Sequence, residues 1–176
     1  NGGNVYKGFG QSVIFMIDFK TSSTETYTLL KPLLKKYSSI LTTYKNGKVI
    51  KQGAISILIS GRVPLSGIML EDTSLALIDG SVGRLAEESS IPQIQRVSSA
   101  WQSFFTWHGK GEMPQSQLAR LKDFVTKTHS AGKEIRFYHM PDKENAWKVL
   151  LDAGVDWINT NRLKAFAEFY KGYKEP

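Results

Sequence analysis

The sequence has 176 residues, of which 41% are hydrophobic and 22% are charged, a composition typical of a folded domain rather than a disordered chain. The formal net charge is +7, and the absence of cysteine excludes disulfides, thiolate metal sites and cysteine nucleophiles. No dense basic run interleaved with aromatic residues is present, so we expect no nucleic-acid partner. No apolar run reaches the ~18 residues that would predict a membrane-spanning helix.

The first part of the chain predicts a strand, a helix and a hairpin. Residues 12–19 form a nearly continuous apolar run, which is typical of a strand buried in a parallel sheet. Ser22 and Glu25 have the spacing of a capping box, and apolar side chains at helical spacing follow them. Asn46 and Gly47 favour a type I′ turn, which predicts a small hairpin.

The middle of the chain predicts further strands. Residues 54–60 and 75–78 are short apolar runs, and residues 95–100 form a weaker one. The segment 61–64 ends the first of these strands, because it contains Gly and Pro.

The last third predicts two more strands and three helices. Residues 114–132 read as a helix between a proline and a glycine, and residues 135–138 as the strand that follows it. Asp142 is expected to cap the next helix, residues 155–159 to form the last strand, and Asn161 to cap the final helix.

Strands that alternate with helices in this way predict a parallel α/β sheet. An open doubly wound sheet and a barrel both satisfy the pattern. No Gly-rich phosphate loop follows any of the predicted strands, which argues against a nucleotide-binding sheet.

Four segments carry a resemblance to a known family. They are FMIDFK at 15–20, ISGRVP at 59–64, GKEIRFY at 132–138 and LDAGVDWINTN at 151–161. Their order and spacing resemble a bacterial branch of the superfamily of phosphatidylinositol-specific phospholipase C-like proteins and glycerophosphodiester phosphodiesterases. The similarity runs over nearly the whole chain. It implies a partial TIM-like (β/α) barrel, roughly strands three to eight with their helices, in which residues 1–176 form a single domain.

The resemblance also implies what lies outside this chain. The first two βα units of such a barrel, with a catalytic His and acidic metal ligands, would lie upstream, so the chain alone is expected to be inactive. The strand at 12–19 would then present an exposed edge, which would pair with another chain or with the missing N-terminal segment.

Asp18 and Lys20 are the first candidate site residues. They share parity at the end of the first strand, so their side chains point to one side. The family usually has Glu-x-Lys here, and the resemblance implies that Asp18 binds a divalent cation, Ca²⁺ or Mg²⁺, and that Lys20 is a catalytic contact to phosphate. The alternative is an ion pair between Asp18 and Lys20 that closes the strand.

Two candidates follow the next strands. Arg62 could bind phosphate through its guanidinium, or it could be a surface arginine in a turn. Asp79 could contact a metal or substrate, although we favour an Asx turn at this position.

Aromatic and histidine side chains complete the candidate site. Trp101 is a candidate substrate-binding wall of a pocket, or it could equally be packing that seals the barrel against its helices, and we favour packing for Phe104 and Phe105. Tyr138 stands where the family often has a pocket-lining Trp, and we expect it to bind substrate. His139 is a candidate catalytic acid, since imidazole titrates near neutral pH.

The sequence and the resemblance together predict metal-assisted hydrolysis of a phosphodiester by the intact protein. The substrate would be a small phosphodiester or a lipid headgroup, such as a glycerophosphodiester or a phosphoinositide. The resemblance implies a secreted or periplasmic location, which the residues themselves do not indicate. The alternative is a non-catalytic barrel remnant that binds a phosphorylated or glycan ligand.

Overall fold

The computed structural model describes residues 3–63, 65–69 and 71–174. The chain divides into two structural units. The first unit comprises Asn1–Gly80 and Ser90–Gln95, and the second comprises Ser81–Ser89 and Arg96–Pro176. Pro64, which was expected to help end the second strand, lies outside the described residues. No helix in the described ranges has the length and apolar character needed to cross a bilayer.

The elements follow one another along the chain in close agreement with the predicted order. The elements up to residue 81 are β1 Val13–Phe19, α1 Ser23–Lys36, β2 Thr43–Lys45, β3 Lys48–Lys51, β4 Ile55–Gly61, α2 Leu65–Met69 and β5 Ala76–Ser81. The elements after it are α3 Leu85–Glu88, β6 Ile94–Ala100, α4 Gln115–Ser130, β7 Glu134–Tyr138, α5 Glu144–Asp152, β8 Trp157–Ile158 and α6 Leu163–Lys174.

Within the described residues, six strands form one sheet in the order β1-β4-β5-β6-β7-β8. The pairs β1–β4, β4–β5, β6–β7 and β7–β8 are parallel, as the alternation of strands and helices predicted. The predicted fold class, α/β with the strands and helices of a partial TIM-like (β/α) barrel, is confirmed. Strand β1 stands at one end of the sheet order, so it is the edge strand that the sequence predicted.

The hairpin prediction is also confirmed. Strands β2 and β3 pair antiparallel, and the two residues between them, Asn46 and Gly47, have φ values of 50° and 71°. Positive φ at both central positions is the requirement of a type I′ turn. A side chain at Gly47 would overlap the carbonyl of Pro92, so this turn needs a glycine for space as well as for its φ.

The predicted capping box at α1 is wrong. The helix begins after Ser22, but the Ser22 side chain makes no capping hydrogen bond. Its carbonyl oxygen instead accepts from the backbone N–H of Thr26 and from the Thr26 hydroxyl, at 3.2 Å and 2.6 Å. The start of α1 is therefore held by backbone geometry and by a threonine inside the first turn.

Strand β7 shows how the sheet of the second unit sorts its side chains. Ile135 and Phe137 are 0% and 1% exposed and belong to the hydrophobic core, together with Leu121 of α4 at 0%. Side chains alternate along a strand, so Arg136 and Tyr138 point to the opposite face, where both are half-buried. That face is polar, and it carries the candidate residue Tyr138.

Candidate functional site

The carboxyl ends of β1, β4 and β5 bring three polar side chains of the first unit to one level. Asp18 of β1 is in register with Ser60 of β4, and residues in register on parallel strands share a face of the sheet. The Ser60 hydroxyl donates a hydrogen bond of 3.1 Å to Oδ2 of Asp79 on β5. The order of the row is therefore carboxylate, hydroxyl, carboxylate.

Lys20 joins this row through an exposed ion pair. Its Nζ contacts Oδ2 of Asp18, and the side chains of Lys20 and Asp18 are 80% and 46% exposed. The ion pair that the sequence left as an alternative is therefore formed. Ion pairs as exposed as this one contribute about 0–1 kcal/mol to the free energy of unfolding, so both groups can exchange their partner for a ligand at little cost. Metal binding by Asp18 and phosphate contact by Lys20 stay predictions.

Gly61 on the neighbouring strand leaves room for the Asp18 carboxylate. Its φ is +82°, and a side chain there would overlap Oδ1 of Asp18 and the carbonyl of Phe19. The next residue, Arg62, donates its backbone N–H to the same Phe19 carbonyl at 2.9 Å. The Arg62 side chain is exposed, and no ion pair to it occurs among the described residues. Its predicted phosphate contact is untested.

Asp79 lies within strand β5 and is 5% exposed, so the Asx-turn interpretation is wrong. The Asp-Gly pair at 79–80 indicated a turn, but the strand runs on to Ser81 and the carboxylate accepts from Ser60 of the adjacent strand. Among the described residues there is no cluster of three His, Cys, Asp or Glu side chains that could hold a metal ion. The donors of the row are nonetheless hard oxygens, the chemistry that Ca²⁺ and Mg²⁺ prefer.

Trp101 of the second unit is enclosed by its own chain. It is 1% exposed, and its ring centroid lies 4.1 Å from that of Phe105 and 5.6 Å from that of Phe137. Its Nε1 donates to the carbonyl of Trp107 at 2.9 Å. The geometry matches the packing alternative, and contact between Trp101 and a substrate stays a prediction.

Tyr138 and His139 lie together at the carboxyl end of β7. Their ring centroids are 5.2 Å apart in an edge-to-face arrangement. His139 has a φ of 54°, which is uncommon outside glycine, and its carbonyl accepts from Nε2 of Gln102 at 2.9 Å. The imidazole is exposed. The structure thus brings these two candidates side by side, and their proposed contacts to substrate are untested.

Asp142 does not cap α5 as predicted. The residue before α5 is Lys143, without a side-chain cap. The Asp142 carboxylate instead accepts from Nε1 of Trp147 at 3.0 Å, from Oγ1 of Thr160 at 2.6 Å and from the backbone N–H of Asn161 at 2.9 Å. One carboxylate therefore joins α5 to the segment that leads into α6.

The electrostatics of Asp142 follow from these contacts. Burial opposes ionisation, but the hydrogen bonds from Thr160, Asn161 and Trp147, with the nearby Arg162 guanidinium, outweigh it and hold the pKa of the carboxyl below its ordinary value. The backbone N–H of Arg162 donates to Thr160 Oγ1 at 2.9 Å. The backbone ahead of α6 is thus satisfied by Asp142 and Thr160, whereas Asn161 was the predicted cap.

Sequence reasoning assigned no role to Arg136, although it lies inside one of the family-like segments. The available signal was an arginine at a central position of an otherwise apolar strand. In the structure its guanidinium donates to Oδ1 of Asn159, just beyond β8, and lies 5.7 Å from the Tyr138 ring centroid.

The fold and these residues define an α/β protein with polar side chains at the carboxyl ends of parallel strands. No family model and no solved structure matches the chain. It is similar to Altered inheritance of mitochondria protein 6 of Eremothecium gossypii, with 24% identity over 190 residues that cover 95% of this chain and 49% of that protein. The chain therefore spans about half the length of this relative. None of these comparisons tests the resemblance to phosphodiesterases.

Proposed function

We propose that the intact protein hydrolyses a phosphodiester with the help of a divalent cation, Ca²⁺ or Mg²⁺. The observation that carries the proposal is the row formed by Asp18, Ser60 and Asp79, with Lys20 paired to Asp18. Oxygen ligands for a cation and an ammonium for a phosphate thus occur together. They lie at the carboxyl ends of parallel strands, which is where α/β proteins hold their ligands.

In the first unit, each candidate has a role that its exposure permits. The Asp18 carboxylate would hold the cation, with water supplying further oxygen ligands. A cation bound there would polarise a phosphoryl oxygen. Lys20 would leave Asp18 to neutralise a second phosphoryl oxygen, and the exposed Arg62 guanidinium would bind the phosphate through two N–H groups.

In the second unit, His139 would donate a proton to the leaving alkoxide. Its imidazole is exposed, so a leaving group can reach it. Tyr138, whose ring lies against His139, would contact the headgroup. The substrate class is a glycerophosphodiester or a phosphoinositide.

The test is metal-dependent hydrolysis by the intact protein, measured on glycerophosphocholine and on phosphatidylinositol with Ca²⁺ or Mg²⁺. Asp18→Asn should lower kcat/KM by about 100-fold, because it removes the anionic oxygen that holds the cation. The matched control is Asp72→Asn in the same unit, whose carboxylate is exposed and pairs with Lys45, and it should leave kcat/KM unchanged.

Equal activity of Asp18→Asn and the unsubstituted protein would contradict the proposal, and so would hydrolysis that persists in excess chelator. Binding of the diester without any turnover would support the non-catalytic alternative instead.

A further inference from the structure

The polar face of the second unit carries charges that do not balance. Glu134 and Arg136 are two residues apart on β7, and Arg96 of the adjacent strand β6 is in register with Glu134. Residues of like parity in this register point to one face of the sheet. The face therefore presents two guanidinium groups and a single carboxylate, a net charge of one positive.

The Glu134 carboxylate is already engaged by its neighbours. Its Oε2 accepts from Nη2 of Arg96 at 3.4 Å and from Nε1 of Trp157 at 2.6 Å. The Arg96 guanidinium also lies 4.0 Å from the centroid of the Trp157 ring, a cation–π contact. Arg96 thus has its own anion and its own aromatic ring, and Arg136 carries the unbalanced charge.

The contacts of Arg136 are with neutral groups. They are Oδ1 of Asn159 and the face of the Tyr138 ring. Over residues 3–63, 65–69 and 71–174 no carboxylate lies within ion-pair distance of Arg136. A half-buried guanidinium has five N–H donors, and a neutral amide oxygen satisfies few of them. Two neutral groups therefore orient this cation without neutralising it.

The side chains around Arg136 include further donors and small residues. The residues of β6 in register with Arg136 and Tyr138 are Ser98 and Ala100, both small. Asn159 uses its carbonyl oxygen on Arg136, and its amide nitrogen and the Tyr138 hydroxyl make no hydrogen bond to the part of the chain that the structure describes. Arg136 thus contacts two side chains that carry further donors, the amide of Asn159 and the phenol of Tyr138.

We propose that Arg136, Asn159 and Tyr138 form an anion subsite that binds a phosphoryl group. Arginine matches phosphate geometry because its N–H groups reach two oxygens at once, and a tetrahedral phosphate has further oxygens for the amide and the phenol. The choice of a phosphodiester as the ligand rests on the proposed function. The subsite itself lies in the second unit and involves neither Asp18 nor Lys20.

The test is calorimetric titration of the 176-residue chain with dimethyl phosphate at low salt, without metal ions. Arg136→Met should weaken binding by about 10- to 100-fold, because it removes a charge-assisted, two-point contact. Arg136→Lys should restore only part of the affinity, since it keeps the charge and loses the planar fork. Asn159→Ala should weaken binding by about 3- to 10-fold and serves if Arg136→Met fails to fold.

The matched control is Arg120→Met. Arg120 is an exposed arginine of α4 in the same unit, and it donates to the carbonyl of Phe104. It should bind dimethyl phosphate as the unsubstituted chain does. The inference is overturned by a chain that does not bind dimethyl phosphate at about 10 mM, or by equal loss in Arg120→Met and Arg136→Met. Acetate binding as tight as that of dimethyl phosphate would overturn the assignment to a phosphoryl group.

The outcomes separate this inference from the proposed function. Binding that depends on Arg136, in a protein that hydrolyses no diester, would remove the function and leave the subsite. Metal-dependent hydrolysis that depends on Asp18, with normal binding by Arg136→Met, would leave the function and remove the subsite.

Discussion

The two units treat their charged groups in opposite ways. In the first unit Asp18 and Lys20 neutralise each other in an exposed pair. In the second, Arg136 is half-buried and its contacts are an amide oxygen and an aromatic ring. A ligand that binds Asp18 or Lys20 would have to break the ion pair between them. An anion that binds Arg136 would neutralise a charge that has no counterion. The first region is thus suited to exchange, and the second to fixed orientation.

The residues that pack next to the charged groups also differ between the two regions. The Asp18 carboxylate lies over Gly61, a backbone position with no side chain to hold it from that direction. Tyr138 and Arg136 share β7 with Phe137, which packs against the enclosed Trp101 on the other face of the strand. Aromatic core residues therefore pack on the opposite side of the strand that carries the polar face of the second unit. The following substitutions test this contrast.

The largest expected effect is at Trp101. Trp101→Ala should destabilise the chain by about 3–5 kcal/mol, because it leaves a cavity among Phe105 and Phe137 and a carbonyl without its donor. Urea unfolding followed by circular dichroism measures this. Ser103→Ala, an exposed position in the same turn, is the control. A small loss of stability with a large loss of diester affinity would show that Trp101 is a ligand contact and break the contrast.

Gly61→Ala should cost about 3 kcal/mol and displace the Asp18 carboxylate. The alanine has to adopt a left-handed φ, and its methyl group would overlap Asp18 and the Phe19 carbonyl. Gly132→Ala separates the two causes, because Gly132 has a φ of +66° with open space around it and should cost only about 1 kcal/mol. Equal costs for the two substitutions, by the same unfolding measurement, would show that the close approach of Asp18 and the Phe19 carbonyl to Gly61 adds nothing to the cost.

Asp142→Ala should cost about 2 kcal/mol at pH 7, since Trp147, Thr160 and the Asn161 N–H lose a shared acceptor. The pKa of Asp142 is lowered in the folded state, so its contribution is complete above the ordinary value of about 3.9 and is lost as pH falls through the lower folded pKa. Unfolding free energies of both proteins should therefore converge as pH drops below about 3.9. A difference that does not change with pH would contradict this account.

The smallest expected effect on stability is that of Lys20→Gln, about 0.5 kcal/mol or less, because the ion pair with Asp18 is exposed. The same substitution should raise the KM for a phosphodiester by about tenfold if Lys20 neutralises a phosphoryl oxygen. Thermal unfolding and initial rates measure the two quantities. A change in stability without a change in KM would show that Lys20 only closes the strand.

The sequence predicted those structural features that depend only on residues close together in the chain. The hairpin at Asn46 and Gly47 needs two residues with positive φ, and those two residues are local information. The apolar runs and their order similarly predicted the strands and the parallel sheet. Asp142 was misassigned because its three donors include Thr160 and Asn161, far along the chain, and the rule for helix caps considers only the adjacent turn.

The candidate site shows the same division. Asp18 and Lys20 were placed on one side of a strand by parity, and the structure pairs them. The role of Asp79 depended on where β5 ends and on its hydrogen bond with Ser60 of another strand, neither of which the Asp-Gly pair could indicate. The charge imbalance around Arg136 required the register of adjacent strands.

The parallel ladder between β1 and β4 sets an order of events during synthesis. It pairs Val13 with Ile55 and Phe19 with Gly61, and α1 and the β2–β3 hairpin lie between the two strands. The helix and the hairpin need only nearby residues, whereas the ladder must close a long loop, so the local elements form first. On the ribosome, the pairing of β1 with β4 therefore waits until Gly61 has left the exit tunnel.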